Sequence, residues 1–483
     1  MTQTNGQKMT SYRWVICGML FFATTVNYLD RQVLSLTWED FIRPEFHWTN
    51  QHYGWVTGIF SLVYAIAMLF AGRIVDKLGT KRGYMWSIGI WSAGACLHAL
   101  CGVATEHIVG LPDAAALRAV ADNVDLISKI AIVSLTLFIM ARCVLAIGEA
   151  GNFPAAIKAT AEYFPKKDRA YATSIFNAGS TIGALIAPFA IPTLAARFGW
   201  EASFIIIGAL GFVWMGFWQF VYKKPDHNPA VNAAELAYIN SDSEQERDEA
   251  EKAAAEAAAA PKVSLWRCFG YRQTWAFISG KAIADGVWWF YLFWMPSYLK
   301  NACGMASTSI EFQLALGVLY LIVMVSLFGG YLPTIFIERF KMNPYAGRMR
   351  AMLIFAFFPL LALLAQPLAG YSYWFPVIIV GIAGAAHQSW SANIFSTVGD
   401  MFPKSMIATI TGIGGMAGGI GSFGIQTGAG SLFDYAAETD LVFLGYHGIE
   451  AGYMIAFSFC AVAYLASWAA MKAFVPHYKP IKL

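Results

Sequence analysis

Residues 16–36 read Ile-Cys-Gly-Met-Leu-Phe-Phe-Ala-Thr-Thr-Val-Asn-Tyr-Leu-Asp-Arg-Gln-Val-Leu-Ser-Leu, an apolar run interrupted by Asp30 and Arg31. A helix needs about 20 residues to cross the hydrocarbon core of a bilayer, and this run is long enough. A charge at that depth costs roughly 2.5–3.5 kcal/mol on insertion scales. Such residues are kept when they line a polar cavity, pair with each other or bind a solute. An arginine there can hold an anion, and a carboxylate beside it can take up a proton. The run therefore points to transport rather than to anchoring.

The rest of the chain has the same character. Of its 483 residues 58% are hydrophobic and only 13% charged, against about 25% charged in a soluble domain. Charge-free stretches recur at 56–72, 83–105, 170–196, 202–222, 312–337, 351–399, 405–433 and 451–471. The stretch 351–399 is long enough for two spans, with a break expected near Gln366-Pro367 or Gly370. Charge-interrupted runs at 12–36, 126–147 and 277–299 bring the expectation to about twelve helices by the span-length rule. The fold class is an all-α, polytopic membrane protein.

Net charge is +3, and its distribution says more than its sum. Lys and Arg gather at Arg73-Lys77-Lys81-Arg82, Lys166-Lys167-Arg169, Lys223-Lys224, Arg339-Lys341-Arg348-Arg350 and Lys479/Lys482. Positive-inside reasoning then places both termini and the central loop in the cytoplasm, in a cell (inner) membrane. No cleavable leader is expected, because the polar start runs directly into the first span. The seven cysteines form no CxxC pair and suggest neither disulfides nor a metal site.

The chain divides into two halves. Residues 1–222 and 272–483 are each expected to hold six helices, joined by a polar loop at 223–271 whose stretch 249–260 has strong helix-forming composition. Glu162-Tyr163-Phe164-Pro165 in the first half is echoed by Asp400-Met401-Phe402-Pro403 in the second, each before a run of small residues that lets helices approach closely. Residues 106–128 insert a semi-polar stretch between the third and fourth spans, expected on the outer face as an amphipathic helix.

Gly72-Arg73-Ile74-Val75-Asp76-Lys77-Leu78-Gly79-Thr80-Lys81-Arg82 reads G-x-x-x-D-K-x-G-x-K-R. It resembles the signature of the loop between helices two and three of the major facilitator superfamily. The resemblance implies a conformational latch here, comprising Gly72, Asp76, Lys77, Gly79, Arg82 and, from the fourth span, Arg142. In it Asp76 would pair with a basic residue at a neighbouring helix end. Further strings narrow the match: Asn27-Tyr28-Leu29-Asp30-Arg31, Gly148-Glu149-Ala150-Gly151-Asn152-Phe153-Pro154, Phe176-Asn177-Ala178-Gly179-Ser180, Asp285-Gly286-Val287-Trp288-Trp289-Phe290-Tyr291 and Ala386-His387-Gln388-Ser389-Trp390. Together they resemble the anion:cation symporter family, most closely its hexuronate transporters, and imply import of a sugar acid with protons by alternating access.

On that reading Arg31 is the ligand for the substrate carboxylate, since a guanidinium gives a planar, bidentate fit. The bland alternative is an internal ion pair with Asp30 or Glu149. Glu149 and then Asp30 are the expected proton-coupling groups, burial and a nearby arginine pulling a carboxyl in opposite directions; a static Glu149–Arg142 bridge is the alternative. The resemblance puts Tyr28 and Tyr64 against the sugar acid. Asn177 and Ser180, three residues apart, share one helix face and can meet hydroxyls. Trp289 can stack on a sugar ring, Asp285 is notable at membrane depth, and His387, Gln388 and Trp390 form an expected polar wall opposite Arg31. No P-loop, dinucleotide motif, metal cluster or nucleophile–base constellation is present, so the chain is read as no enzyme. No cofactor or metal is expected, the coupling ion being H⁺. Its partners are a small anionic sugar acid, protons and the lipid bilayer, with no nucleic acid, and a monomer is expected. The rival readings are a carrier of aldonates or aldarates and a non-transporting ligand sensor.

Overall fold

In the computed structural model, residues 8–241, 265–329 and 331–481 are described. Twelve helices account for most of them. The first six are α1 (Tyr12–Thr37), α2 (Asn50–Leu78), α3 (Thr80–Val109), α4 (Val124–Glu149), α5 (Lys166–Phe198) and α6 (Trp200–Val221). The second six are α7 (Arg272–Asn301), α8 (Ile310–Val323), α9 (Pro344–Phe357), α10 (Trp374–Met401), α11 (Lys404–Glu438) and α12 (Gly448–Phe474). The helix-forming stretch at 249–260 lies outside the described residues.

Local chemistry sets the ends. Asn123 caps α4, its side chain accepting from the backbone N–H of Leu126 at 3.0 Å, and Asn343 caps α9 through Ala346 at 2.8 Å. Pro165 and Pro403, the last residues of the two echoed tetrapeptides, both sit extended at the N-caps of α5 and α11. The internal echo is thus a shared way of starting a helix. Gly79 joins α2 to α3 at φ +79°, a left-handed conformation that glycine adopts without penalty. The long apolar stretch breaks at Gly370, between Ala365–Ala369 and α10, and not at Gln366-Pro367.

The 106–128 segment holds less independent structure than expected. Longer α3 and α4 consume its ends, leaving one six-residue helix, Ala114–Ala119. Its Leu117 is fully buried and its Arg118 pairs with Glu45. Glu45 also accepts from Trp200 Nε1 at 3.2 Å, and burial raises its carboxyl above the usual range. The segment is a short, mostly exposed helix at the end away from the termini, and it clasps the α1–α2 connection through Leu117 and Arg118.

Both termini lie at one end of the bundle, where Tyr12 OH bonds Val221 O at 2.7 Å and Ile481 N bonds Met401 O at 2.8 Å. Hydrogen bonds between the halves gather at the opposite, far end. Trp38 Nε1 donates to Ser297 Oγ at 2.8 Å, and Tyr53 OH to Phe293 O at 2.9 Å. Lys300 pairs with Asp40. Asp434 of α11 caps α2, accepting from Asn50 N, Asn50 Nδ2 and Gln51 N at 2.9, 2.8 and 2.7 Å. This is a two-halved bundle shut at its far end.

Candidate functional site

Between the halves lies a cavity of about 220 Å³, lined from α1 by Tyr28, from α5 by Asn177, Ser180 and Thr181, from α7 by Trp288, and from α10 by Gln388. The α5 contribution is a helical stripe, 174–177–178–181, of the spacing that puts residues on one face. Tyr320 of α8 also lines it and reaches across the halves, its OH donating to Gln32 Oε1 at 3.1 Å. The walls carry hydroxyls, amides and rings, and no lining residue is charged. That surface suits a polyhydroxy solute.

The charges stand just behind this wall. Arg31 donates Nε and Nη2 to Glu149 Oε2 at 2.9 and 2.5 Å, and the two residues are 3% and 0% exposed. Four rings enclose the guanidinium: Tyr28, Phe60, Tyr64 and Trp289, with centroids 5.0, 5.7, 4.8 and 5.0 Å from its carbon. Each such face is worth about 2 kcal/mol or more when desolvated. So Tyr28, Tyr64 and Trp289, expected against the solute, lie against Arg31, and Tyr28 alone of the three also lines the cavity. Phe60 was not foreseen; it lies on the face of α2 that Tyr64 marks, one turn away.

Asp30 and Arg142 are 1% exposed each, and neither carboxyl nor guanidinium makes a hydrogen bond among the described residues. Arg142 sits over the Phe60 ring at 5.2 Å. Its assignment to the latch is therefore corrected: Arg142 belongs to the buried charge cluster, because α4 carries it to the middle of the bundle. Nor does it bridge Glu149, whose bonds go to Arg31.

The latch loop has other partners. Asp76 pairs with Lys158 at 2.8 Å. Thr80 Oγ1 donates to Glu162 Oε1 at 2.6 Å, and Tyr222 OH bonds the same carboxylate. Lys77 and Arg82 are exposed, and a side chain at Gly72 would meet nothing within 4 Å. Lys158 lies in the helix Asn152–Tyr163, between the quoted strings 148–154 and 162–165 and inside neither.

The expected wall on α10 is reduced to Gln388. His387 Nδ1 contacts Tyr464 OH at 2.8 Å, and its ring stacks on Trp288. Trp390 donates to Gly280 O at 3.2 Å and is 1% exposed. Neighbouring helix residues point about 100° apart at 3.6 residues per turn, so these three cannot share one face.

The model of the Major Facilitator Superfamily matches residues 20–425. Over 432 residues, 89% of each chain, the sequence is 26% identical to the hexuronate transporter of Escherichia coli (strain K12). It is 27% identical to the galacturonate transporter of Dickeya chrysanthemi, over 71% of this chain and 87% of that one. A probable galactarate/D-glucarate transporter of Bacillus subtilis (strain 168) is 26% identical over 93% and 92% of the two chains. Among solved structures, a bacterial homologue of the human lysosomal transporter Spinster, inward-facing and unoccupied, matches with TM-score 0.67 at 17% identity over 97% and 98% of the chains. A D-xylose-proton symporter matches at 0.65 and 16%, over 98% and 100%. With the family model matched over most of its length, the chain is a multi-pass membrane transporter belonging to the major facilitator superfamily.

Proposed function

We propose that this chain imports a sugar acid, a hexuronate such as galacturonate or glucuronate, in symport with protons, its two termini facing the cytoplasm. The observation that carries the reading is the buried Arg31–Glu149 pair at the edge of an uncharged, hydroxyl- and amide-lined cavity. The similarity to the hexuronate and galacturonate transporters supports it.

Breaking a buried ion pair by removing one partner costs about 3–5 kcal/mol. Arg31 can therefore exchange partners but not lose them. In the empty carrier Glu149 supplies the charge. When Glu149 takes a proton, the substrate carboxylate replaces it on the guanidinium, and the sugar hydroxyls meet Asn177, Ser180 and Gln388. Asp30 beside Arg31 is the second proton acceptor. Rocking of the halves about this midplane site then exposes it to either side in turn. Proton and anion travel together because either alone leaves the pocket with an uncompensated charge.

The test is uptake of radiolabelled galacturonate into proteoliposomes, with and without an inward proton gradient. Accumulation should require the gradient. Uptake indifferent to it would defeat the coupling; ligand binding with no uptake under either condition would favour a sensor.

A further inference from the structure

The C-terminal half keeps its own buried cation, which the mechanism above does not use. Lys281 of α7 is 4% exposed and pairs with Asp285 one turn on, Nζ to Oδ2 at 2.7 Å. Its ammonium also lies over the Phe395 ring of α10 at 4.2 Å. The carboxylate is fixed from the other side by α11: a Cβ on Gly418 would meet Asp285 Oδ2 at 2.4 Å. Residues 281, 285, 288 and 292 follow one another by four, three and four positions, so they form one stripe along α7. Trp288 and Leu292 of that stripe line the cavity. The ion pair thus continues the cavity wall toward the terminal end. Residue 285 lies about 5 Å along the helix from Trp288 at 1.5 Å per residue.

On the reading above one carboxylate binds at Arg31, and the cavity lining offers no cation to a second. Lys281 is the cation of the same α7 stripe, carried on a flexible four-carbon stem. Asp285 cancels it. This matters for the choice of cargo, because a hexuronate carries one carboxylate and an aldarate two, and proteins named for both kinds of solute are similar to this chain. A second carboxylate entering a partly dehydrated cavity with no cation to meet it bears the full cost of its lost hydration.

We propose that Asp285 is a specificity residue: by neutralising Lys281 it keeps the α7 side of the cavity without a free cation, so the carrier accepts sugar monoacids and rejects sugar diacids. The inference rests on the sugar-acid reading above. The experiment measures galacturonate counterflow in proteoliposomes and its inhibition by unlabelled galactarate against unlabelled galacturonate. Asp285→Asn should improve galactarate relative to galacturonate by tenfold or more. The double variant Lys281→Gln/Asp285→Asn should return the ratio to that of the wild type, and Asp285→Glu should leave it unchanged. Lys281→Gln alone strands the carboxylate and should weaken galactarate further than galacturonate. An unchanged ratio in Asp285→Asn, a gain that persists in the double variant, or equal weakening of both acids by Lys281→Gln would each overturn the proposal. Wild-type protein with no galacturonate counterflow would bring down the sugar-acid reading, and this inference with it. Wild-type counterflow with variants that leave the ratio unmoved would sink this inference alone.

Discussion

The two halves handle buried charge in opposite ways. At its centre the N-terminal half holds a cluster of four ionisable residues, Asp30, Arg31, Arg142 and Glu149, drawn from two helices, and among the described residues only one of the cluster's two guanidiniums is hydrogen-bonded. The C-terminal half holds Lys281 and Asp285 on a single helix, joined to each other. A pair within one helix keeps its geometry whatever the neighbouring helices do. A pair between α1 and α4 is remade whenever those helices, or the groups between them, shift. The proposed exchange of charge uses the first kind of pair and the proposed selectivity the second.

The comparison can be broken most forcefully at Arg31. Arg31→Leu leaves Glu149 buried without its partner, a loss of about 3–5 kcal/mol. Uptake of galacturonate should fall at least a hundredfold, and residual uptake near wild type would end the assignment. Glu149→Gln comes next. It keeps the shape of the partner and removes the exchangeable proton, so counterflow should stay within severalfold of wild type while gradient-driven accumulation is lost. Retained accumulation would move the coupling to Asp30.

Smaller effects test the closure between the halves. Asp434→Asn strips the charge from the cap on α2; caps contribute about 1 kcal/mol, a roughly fivefold shift in a two-state equilibrium. In a chain whose own cysteines are replaced by alanine, a cysteine at Leu36 should be alkylated faster by that factor. An unchanged rate would show that the far end is held shut elsewhere. Trp390→Phe should do least: it removes one hydrogen bond to Gly280 O, about 1 kcal/mol. The melting temperature should drop a few degrees with transport unaltered, and a transport defect would return Trp390 to the cavity wall.

Much of this was readable from the chain. Span length and small-residue runs gave the helices, because in hydrocarbon every backbone group must be satisfied within its own segment. Asp30, Arg31 and Glu149 stood out because a charge in an apolar run has few structural reasons to be there. What could not be read was direction. Tyr64 and Trp289 were found, yet their rings face Arg31; His387 and Trp390 were found, yet Tyr464 and Gly280 hold them. A one-dimensional pattern gives a residue's depth in the bundle but not which neighbour its side chain meets. Arg142 was misassigned for the same reason, and Lys158, the partner of Asp76, carried no local signal at all.

The helices α2 and α11 meet almost backbone to backbone. A Cβ at Gly54 would stand 2.6 Å from Gln426 O, one at Gly430 would stand 2.4 Å from Asn50 O, and one at Gly419 would stand 2.2 Å from Ala65 Cβ. A machine that pivots needs a bearing, and a bearing works only where nothing protrudes. If the halves rock as proposed, the bearing in this protein is made of absent side chains. Under the proposed rocking of the halves, a side chain added at Gly54, Gly419 or Gly430 would jam these two rails without touching the cavity.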